Sequence, residues 1–231
     1  MSAVPDPPWW RQRAEPSRER KPLTRDAIVD AALVVLEREG IDGLSMRKVA
    51  QELGAGAASL YWHVGDKEQL LSLLLDRIVG EQQIPEPDPE HWQDQLREMA
   101  RRSRELFKSR RDSARLSMGR IPTGPNSLPV MEKVLAVLAA GDLPPRVVAY
   151  AADIMALYVG AFAFEESIAR EGDPEQFEQY LRSLPPEQFP VITGLAADLT
   201  AGDADERFEF GIELLIAGLE ALRERSRQQD G

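Results

Sequence analysis

Five side chains between positions 57 and 63 share a property that bears on chemistry. Ala57, Ala58, Ser59, Tyr61 and His63 are small or polar where a short helix would face outward. A helix that enters the major groove of DNA needs such a surface, because bulk there holds it off the base edges. The segment 45–67, SMRKVAQELGAGAASLYWHVGDK, reads as two short helices around the turn Gly54-Ala55-Gly56, with Val49, Ala50, Leu53 and Leu60 packing them together. Any helical hairpin with a glycine turn shares this pattern, so its surroundings must decide. Rival chemistries have little to work with. The absence of cysteine excludes disulfides, Cys-ligated zinc, iron–sulfur clusters and a cysteine nucleophile. His63 and His91 are the only histidines, and no glycine-rich phosphate loop or Ser–His–Asp set is present. No catalytic residue, metal or cofactor is expected.

The elements that must position this surface are all helical. A first helix is expected from Arg25 to Glu39, with Thr24 as N-cap, Leu23 and Ile28 as staple, and Gly40 at its end. Ile28, Ala32, Val35 and Leu36 form its apolar face. A second starts after Ser45, a third spans about Ala57 to Val64, and a fourth opens at Asp66 with a capping-box spacing to Gln69. Beyond Gln83, IPEPDP marks the domain seam, and Asp88 and Pro89 open a helix reaching Arg110. Further helices fit 127–140, 145–171, 174–183 and 204–226, with no strand alternation. The expected fold class is all-α. Its divisions are an arm at 1–22, a helix-turn-helix domain at 23–67, a connecting helix at 68–83 and a larger helical domain at 84–231. The arm, with five prolines and adjacent Trp9 and Trp10, is either a minor-groove contact or a plain disordered tail.

Charge divides along the same line. Residues 1–67 hold ten basic and ten acidic side chains, so the net −11 belongs wholly to the remainder. The longest uncharged apolar run, Ile154 to Phe164, has 11 residues against the ~20 of a membrane helix. The N-terminus has no secretory apolar core. A cytoplasmic protein with no membrane partner is expected.

The runs DAIVDAALVVLEREGIDGLSMRKVAQELG and SLYWHVGDKEQLLSLL resemble the tetracycline-repressor (TetR) family over residues 24–80. Leu-Tyr-Trp-His-Val followed by Asp-Lys and a leucine pair is similar to the tetracycline repressors themselves. A looser likeness continues through HWQDQLREMARRSRELF, RRDSARLSMG and LYVGAF. The resemblance implies a three-helix DNA-binding domain and a larger domain for dimerisation and effector binding. It sets Ser45, Ser59, Tyr61 and Lys67 on phosphates and Arg47 on a base edge. The physics agrees: hydroxyls and ammonium groups fix register on phosphate, and arginine holds guanine O6 and N7 bidentately. Ala57 and Ala58 stand where the tetracycline repressors carry glutamine and proline, so the operator should differ. Tyr61 is assigned to the DNA face and Trp62 to the core; His63 is left between DNA contact and a structural role.

In helix 204–226, Phe208, Ile212, Leu215, Leu219 and Leu222 alternate four and three apart, with Gly211 and Gly218 permitting close approach. Helix 145–171 is apolar nearly all round near Ile154, either as a doubly buried core helix or, as the family implies, as part of a four-helix bundle between two copies. The basic row Arg97, Arg101, Arg104, Lys108, Arg111 and Arg115 is expected to pair with nearby acids rather than form a second nucleic-acid site. Glu165 and Glu166, without evident partners, are placed at a helix edge or interface. Trp92, Met99, Phe107, Met118, Met131, Met155, Tyr158 and Phe162 are candidate linings of an effector cavity. Ser117 replaces the histidine through which tetracycline repressors bind a magnesium chelate, so a mainly apolar effector without metal is expected. The reading is a ligand-responsive transcriptional repressor, homodimeric on a near-palindromic DNA operator. An all-α enzyme with a helix-turn-helix appendage, or a helical interaction module that has lost DNA binding, are the rivals.

Overall fold

The computed structural model describes residues 23–168 and 173–230; the arm and the end of the helix expected to reach 171 lie outside them. Regular structure among the described residues is entirely helical: α1 (Arg25–Gly43), α2 (Met46–Glu52), α3 (Ala57–Leu60), α4 (Lys67–Val79), α5 (Trp92–Ser109), α6 (Ser113–Ser117), α7 (Ser127–Ala140), α8 (Pro145–Ser167), α9 (Pro174–Arg182), α10 (Pro190–Gly194), α11 (Ala196–Thr200) and α12 (Ala204–Asp230).

The expected caps form. The Thr24 hydroxyl accepts the Ala27 amide at 3.1 Å, and the Asp66 carboxylate accepts that of Gln69 at 2.7 Å. Gly40, at φ 74°, breaks α1 and adds a turn rather than ending it. Several further boundaries differ from expectation, among them that of α12, which runs to Asp230 rather than 226. The third helix is only four residues long, because the Leu60 carbonyl takes both the His63 and Val64 amides and closes a turn. Asp88 does not open α5; its carboxylate instead holds Glu90 N and the His91 ring, so the helix starts at Trp92.

Two cores result. One joins α1 to α4 and receives Leu116 from α6, so α4 belongs to the first domain as well as leaving it. The other joins Trp92, Leu96, Val137, Phe162, Phe208 and Ile212 from α5, α7, α8 and α12. By length and composition α8 could cross a membrane. It packs instead against α5, α6, α7 and α12. Helices α9 to α11 pack chiefly against one another, leaving Phe177, Tyr180, Val191 and Leu199 exposed.

Most of the basic row pairs with acids of its own domain, as expected, whereas Arg111 reaches the Glu37 and Arg38 carbonyls and Arg115 pairs with Asp42 of the first domain. Arg97 grips Glu213, Arg101 grips Glu209, and Lys108 reaches Glu105 and Glu166. Glu165 and Glu166 correct their expected partnerless state. Arg207 holds Glu165, and buried Arg104 holds Glu166 and Asp205 at once while lying over the Phe208 ring. Asp205 starts α12 and Glu166 ends α8, so one guanidinium ties together both ends of the segment carrying α9 to α11.

Candidate nucleic-acid interface and effector cavity

The Ser45 hydroxyl accepts the Lys48 amide at 3.3 Å and starts α2. That register buries Met46, Val49 and Ala50 and turns Arg47 out to solvent. Arg47 engages no carboxylate among the described residues, whereas neighbouring Lys48 is neutralised by Glu39 and Arg38 by Glu52. An arginine left unpaired on this face is free to meet an external acceptor. The turn follows through Gly54, whose φ of 62° is one that L side chains rarely adopt.

Leu60 and Val64 fill the core from α3 and its turn, and this decides what lies between them. Ala58, Ser59 and Tyr61 are exposed, with Ala57 and His63 half-buried. Trp62 corrects its core assignment: it is 89 % exposed, against 52 % for Tyr61. With residues 60 and 64 one turn apart and inward, the two aromatics between them point away. The expected DNA-binding residues are thus exposed or half-buried, and Trp62 adds a second exposed aromatic among them. Lys67, at the start of α4, is half-buried and donates to the Ile41 carbonyl at 3.2 Å. An ammonium has three donors, so this bond leaves others for a phosphate.

The interface is braced by the second domain. Asp112, in the left-handed region at φ 58°, accepts the Ile41 amide at 2.8 Å. Arg111 donates to the Arg38 carbonyl at 2.9 Å, and Arg115 pairs with Asp42. The hydrogen bond from Arg115 holds the Asp42 carboxyl below its ordinary range. Any Cβ at Gly40 would meet the Asp112 carboxylate at 2.7 Å, which adds a close approach to its positive φ.

A cavity of about 530 Å³ opens between the end of α4 and α5, lined by Glu81, Gln82, Gln83, Ile84, Met99, Arg102, Glu105, Leu106 and Ser109. Of the nine expected lining residues only Met99 is among these. Trp92 is buried against Gly141, and Phe107 and Phe162 are buried in the second core. The Tyr158 hydroxyl donates to the Phe208 carbonyl at 3.1 Å. The Ser117 hydroxyl is spent on the Ala114 carbonyl at 2.7 Å, and Met118 packs over Gly160. Met131 and Met155 are half-buried on α7 and α8. The apolar lining expected from sequence differs from this cavity, which glutamines and paired ions line in part. The usable signal was the spacing of Met99, Arg102, Leu106 and Ser109 beside the polar run 81–83.

Part of the expected interface seam needs correction, while its Ile154 and Leu222 are exposed. Phe208, Ile212 and Leu219 are 0, 1 and 7 % exposed, packed inside their own chain, and Leu215 is half-buried. Glu209 and Glu213 lean onto Arg101 and Arg97 of α5, which sets this rotation of α12. The face left bare is formed by Phe210, Leu214 and Leu222 on α12 with Tyr150, Ile154 and Leu157 on α8. Gly211 does permit a close approach, but to Tyr158 of the same chain; around Gly218 the space is open.

Residues 28–74 match the family model described as bacterial regulatory proteins, tetR family, and residues 84–223 match the tetracyclin repressor-like C-terminal domain. Among curated relatives, an HTH-type transcriptional regulator of Saccharopolyspora erythraea is 34 % identical over 94 % of this chain and 93 % of its own length. The HTH-type transcriptional repressor DrrR1 of Streptomyces coeruleorubidus is 35 % identical over 92 % of this chain and 83 % of its own. Apo ActR from Streptomyces coelicolor superposes with a TM-score of 0.85 at 43 % identity, covering 89 % of this chain and 99 % of that one. ActR in complex with actinorhodin gives 0.80 at 44 % identity, over 87 % and 96 % of the two chains.

Proposed function

Because this chain belongs to the TetR family and is a DNA-binding transcriptional regulator, we propose that it represses transcription as a homodimer on a near-palindromic operator and is released by a small organic effector. The observation that carries this reading is Arg47, exposed and without a carboxylate among the described residues, on the helix that precedes the exposed Ser59, Tyr61 and Trp62. Two such faces related by a two-fold axis read two half-sites of matching symmetry. The bare apolar face of α8 and α12 supports a second copy as the partner there, since contiguous apolar surface of this kind marks interaction sites.

The cavity beside α5 supports an effector with both apolar and hydrogen-bonding parts. Ile84, Met99 and Leu106 offer apolar contact; Gln82, Gln83 and Arg102 offer donors and acceptors. This is more polar than the mainly apolar compound expected from sequence. The actinorhodin complex of ActR makes actinorhodin a suitable first probe. The proposed uptake is metal-free, because position 117 offers a neutral serine hydroxyl rather than an imidazole. The site of action is the cytoplasm, where operator DNA lies.

A gel-shift with the DNA upstream of the chain's own gene tests the reading. A discrete complex, dissolved by actinorhodin equally with and without EDTA, is the expected result. Absence of any complex on that DNA or on a randomised palindrome library would overturn DNA binding. Release by tetracycline–magnesium that EDTA abolishes would overturn metal-free uptake.

A further inference from the structure

Asp76 is a carboxylate only 3 % exposed on α4, a helix otherwise filling the first core with Leu70, Leu71, Leu74, Leu75 and Ile78. All the hydrogen bonds to its carboxylate come from the start of α7, in the second domain. Its oxygens accept the Ser127 hydroxyl at 2.7 Å, the Ser127 amide at 2.8 Å, the Asn126 side-chain amide at 2.7 Å and the Asn126 backbone amide at 3.2 Å. Gly124 completes the fit, for a Cβ there would collide with this carboxylate. Burial alone would push the Asp76 carboxyl up, yet the bonds from Ser127 and Asn126 outweigh it and hold it below its ordinary value. The ion is therefore satisfied, and its partners are fixed in direction.

A second tie lies two turns back on α4. Glu68 pairs with Arg120 at 2.8 Å, at the other end of the link between α6 and α7. Positions 68 and 76 are about 12 Å apart along the helix at 1.5 Å per residue. The link 120–127 thus spans α4 like a strap, over a cavity of about 170 Å³ lined by Gln69, Ser72, Leu73 and Thr123 among others. These two ties restrain the tilt of α4 itself, in addition to the bracing of α1 and its end by Arg111, Asp112 and Arg115. Since α4 shares its core with α1 to α3, its tilt is the tilt of the DNA-reading head.

We propose that Asp76 is a positioning residue for DNA recognition, setting the angle of the head by holding the first turn of α7, with Glu68–Arg120 as the second tie. The functional importance of that angle rests on the DNA-binding reading above, whereas the mechanical claim concerns the chain alone. Motion of α7 or of the strap is passed to the head through these two ties.

The test needs neither operator nor effector, so its failure is distinct from a failure of DNA binding. The chain has no native cysteine. Gln51→Cys on α2 and Glu132→Cys on α7, both exposed positions, accept spin labels in the full-length protein. Diluting the labelled chain into excess unlabelled chain leaves one pair per assembly, read by pulsed dipolar spectroscopy. The expected result is one narrow distance distribution in this background, and a broadened or shifted one after Asp76→Asn. That substitution keeps the shape but turns an acceptor into a donor facing other donors. Should Asp76→Asn fail to fold by circular dichroism, the milder Asn126→Ala with Arg120→Ala carries the test and should broaden the distribution likewise. A folded variant whose distribution superimposes on the background overturns the proposal. A lowered melting temperature with an unchanged distribution overturns it too, since Asp76 would then serve stability alone.

Discussion

The Asp112 carboxylate accepts the Ile41 amide at 2.8 Å, joining α1 of the DNA-reading domain to the residue that opens α6, 71 positions later. The bond forms because Gly40 bends the chain at positive φ and Asp112 itself sits in the left-handed region. Asp112→Ala strands the Ile41 amide and loses a residue type that tolerates that region, so a loss of about 1–3 kcal/mol is expected in urea unfolding. Asp112→Asn, which keeps an acceptor and the tolerance, should lose less. Equal stability of all three proteins would show the bond to be idle.

Arg47 and Lys67 should fail differently. Arg47→Ala is expected to relax preference at one base pair per half-site, worth about 1–3 kcal/mol of discrimination. Lys67→Ala should weaken all sequences alike and lower the salt slope by about one unit. It should also cost about 1 kcal/mol of stability, because its bond to the Ile41 carbonyl is lost. Binding titrations on a site library at several salt concentrations separate the two patterns.

Trp62, at 89 % exposure, should report DNA directly. In a Trp9→Phe, Trp10→Phe background, operator binding should change the tryptophan emission, and Trp62→Phe should abolish that change. Trp92 is 1 % exposed and remote from the face, so its emission should stay constant. A response that survives Trp62→Phe would place the contact elsewhere.

Substitutions on the bare face of α8 and α12 and on the buried stripe of α12 should have opposite consequences. Leu214→Glu with Leu157→Glu charges the bare face and should yield a folded monomer by light scattering. Ile212→Glu charges a site 1 % exposed within the chain and should unfold it. A dimer that survives the first pair would put the interface on another surface.

The Arg104–Glu166 pair predicts an acid-sensitive component of stability. The hydrogen bond from Arg104 holds the Glu166 carboxyl below its ordinary 4.5. A depressed carboxyl stabilises the folded chain above the unfolded value, and that contribution is lost as pH falls through the folded one. Unfolding free energy should therefore drop below about pH 4.5, and Glu166→Gln should flatten that part of the profile. An identical acid limb in both proteins would remove Glu166 from the account.

Thr24 and Asp66 were readable as caps, and Ser45 as the residue before a helix, because each bond closes within three residues, where chain neighbours dictate geometry. The helix-turn-helix was readable for the same reason: Gly54, the small residues of α3 and the Leu60–Val64 spacing act over one or two turns. Sequence patterning also showed that α8 is more apolar than one buried stripe requires and that α12 carries a packing seam. It had no means to say which stripe turns inward. Phe208, Ile212 and Leu219 satisfy the same periodicity that Phe210 and Leu214 would on a rotated helix, and the choice belongs to Arg97 and Arg101 on α5, over a hundred residues away. Trp62 was misread because an aromatic's size argues for burial, while the room was already taken by Leu60 and Val64. Asp76 and Asp112 look like ordinary surface acids in the chain. Their partners are amides of distant turns, and a backbone amide carries no mark in the sequence of where folding will bring it.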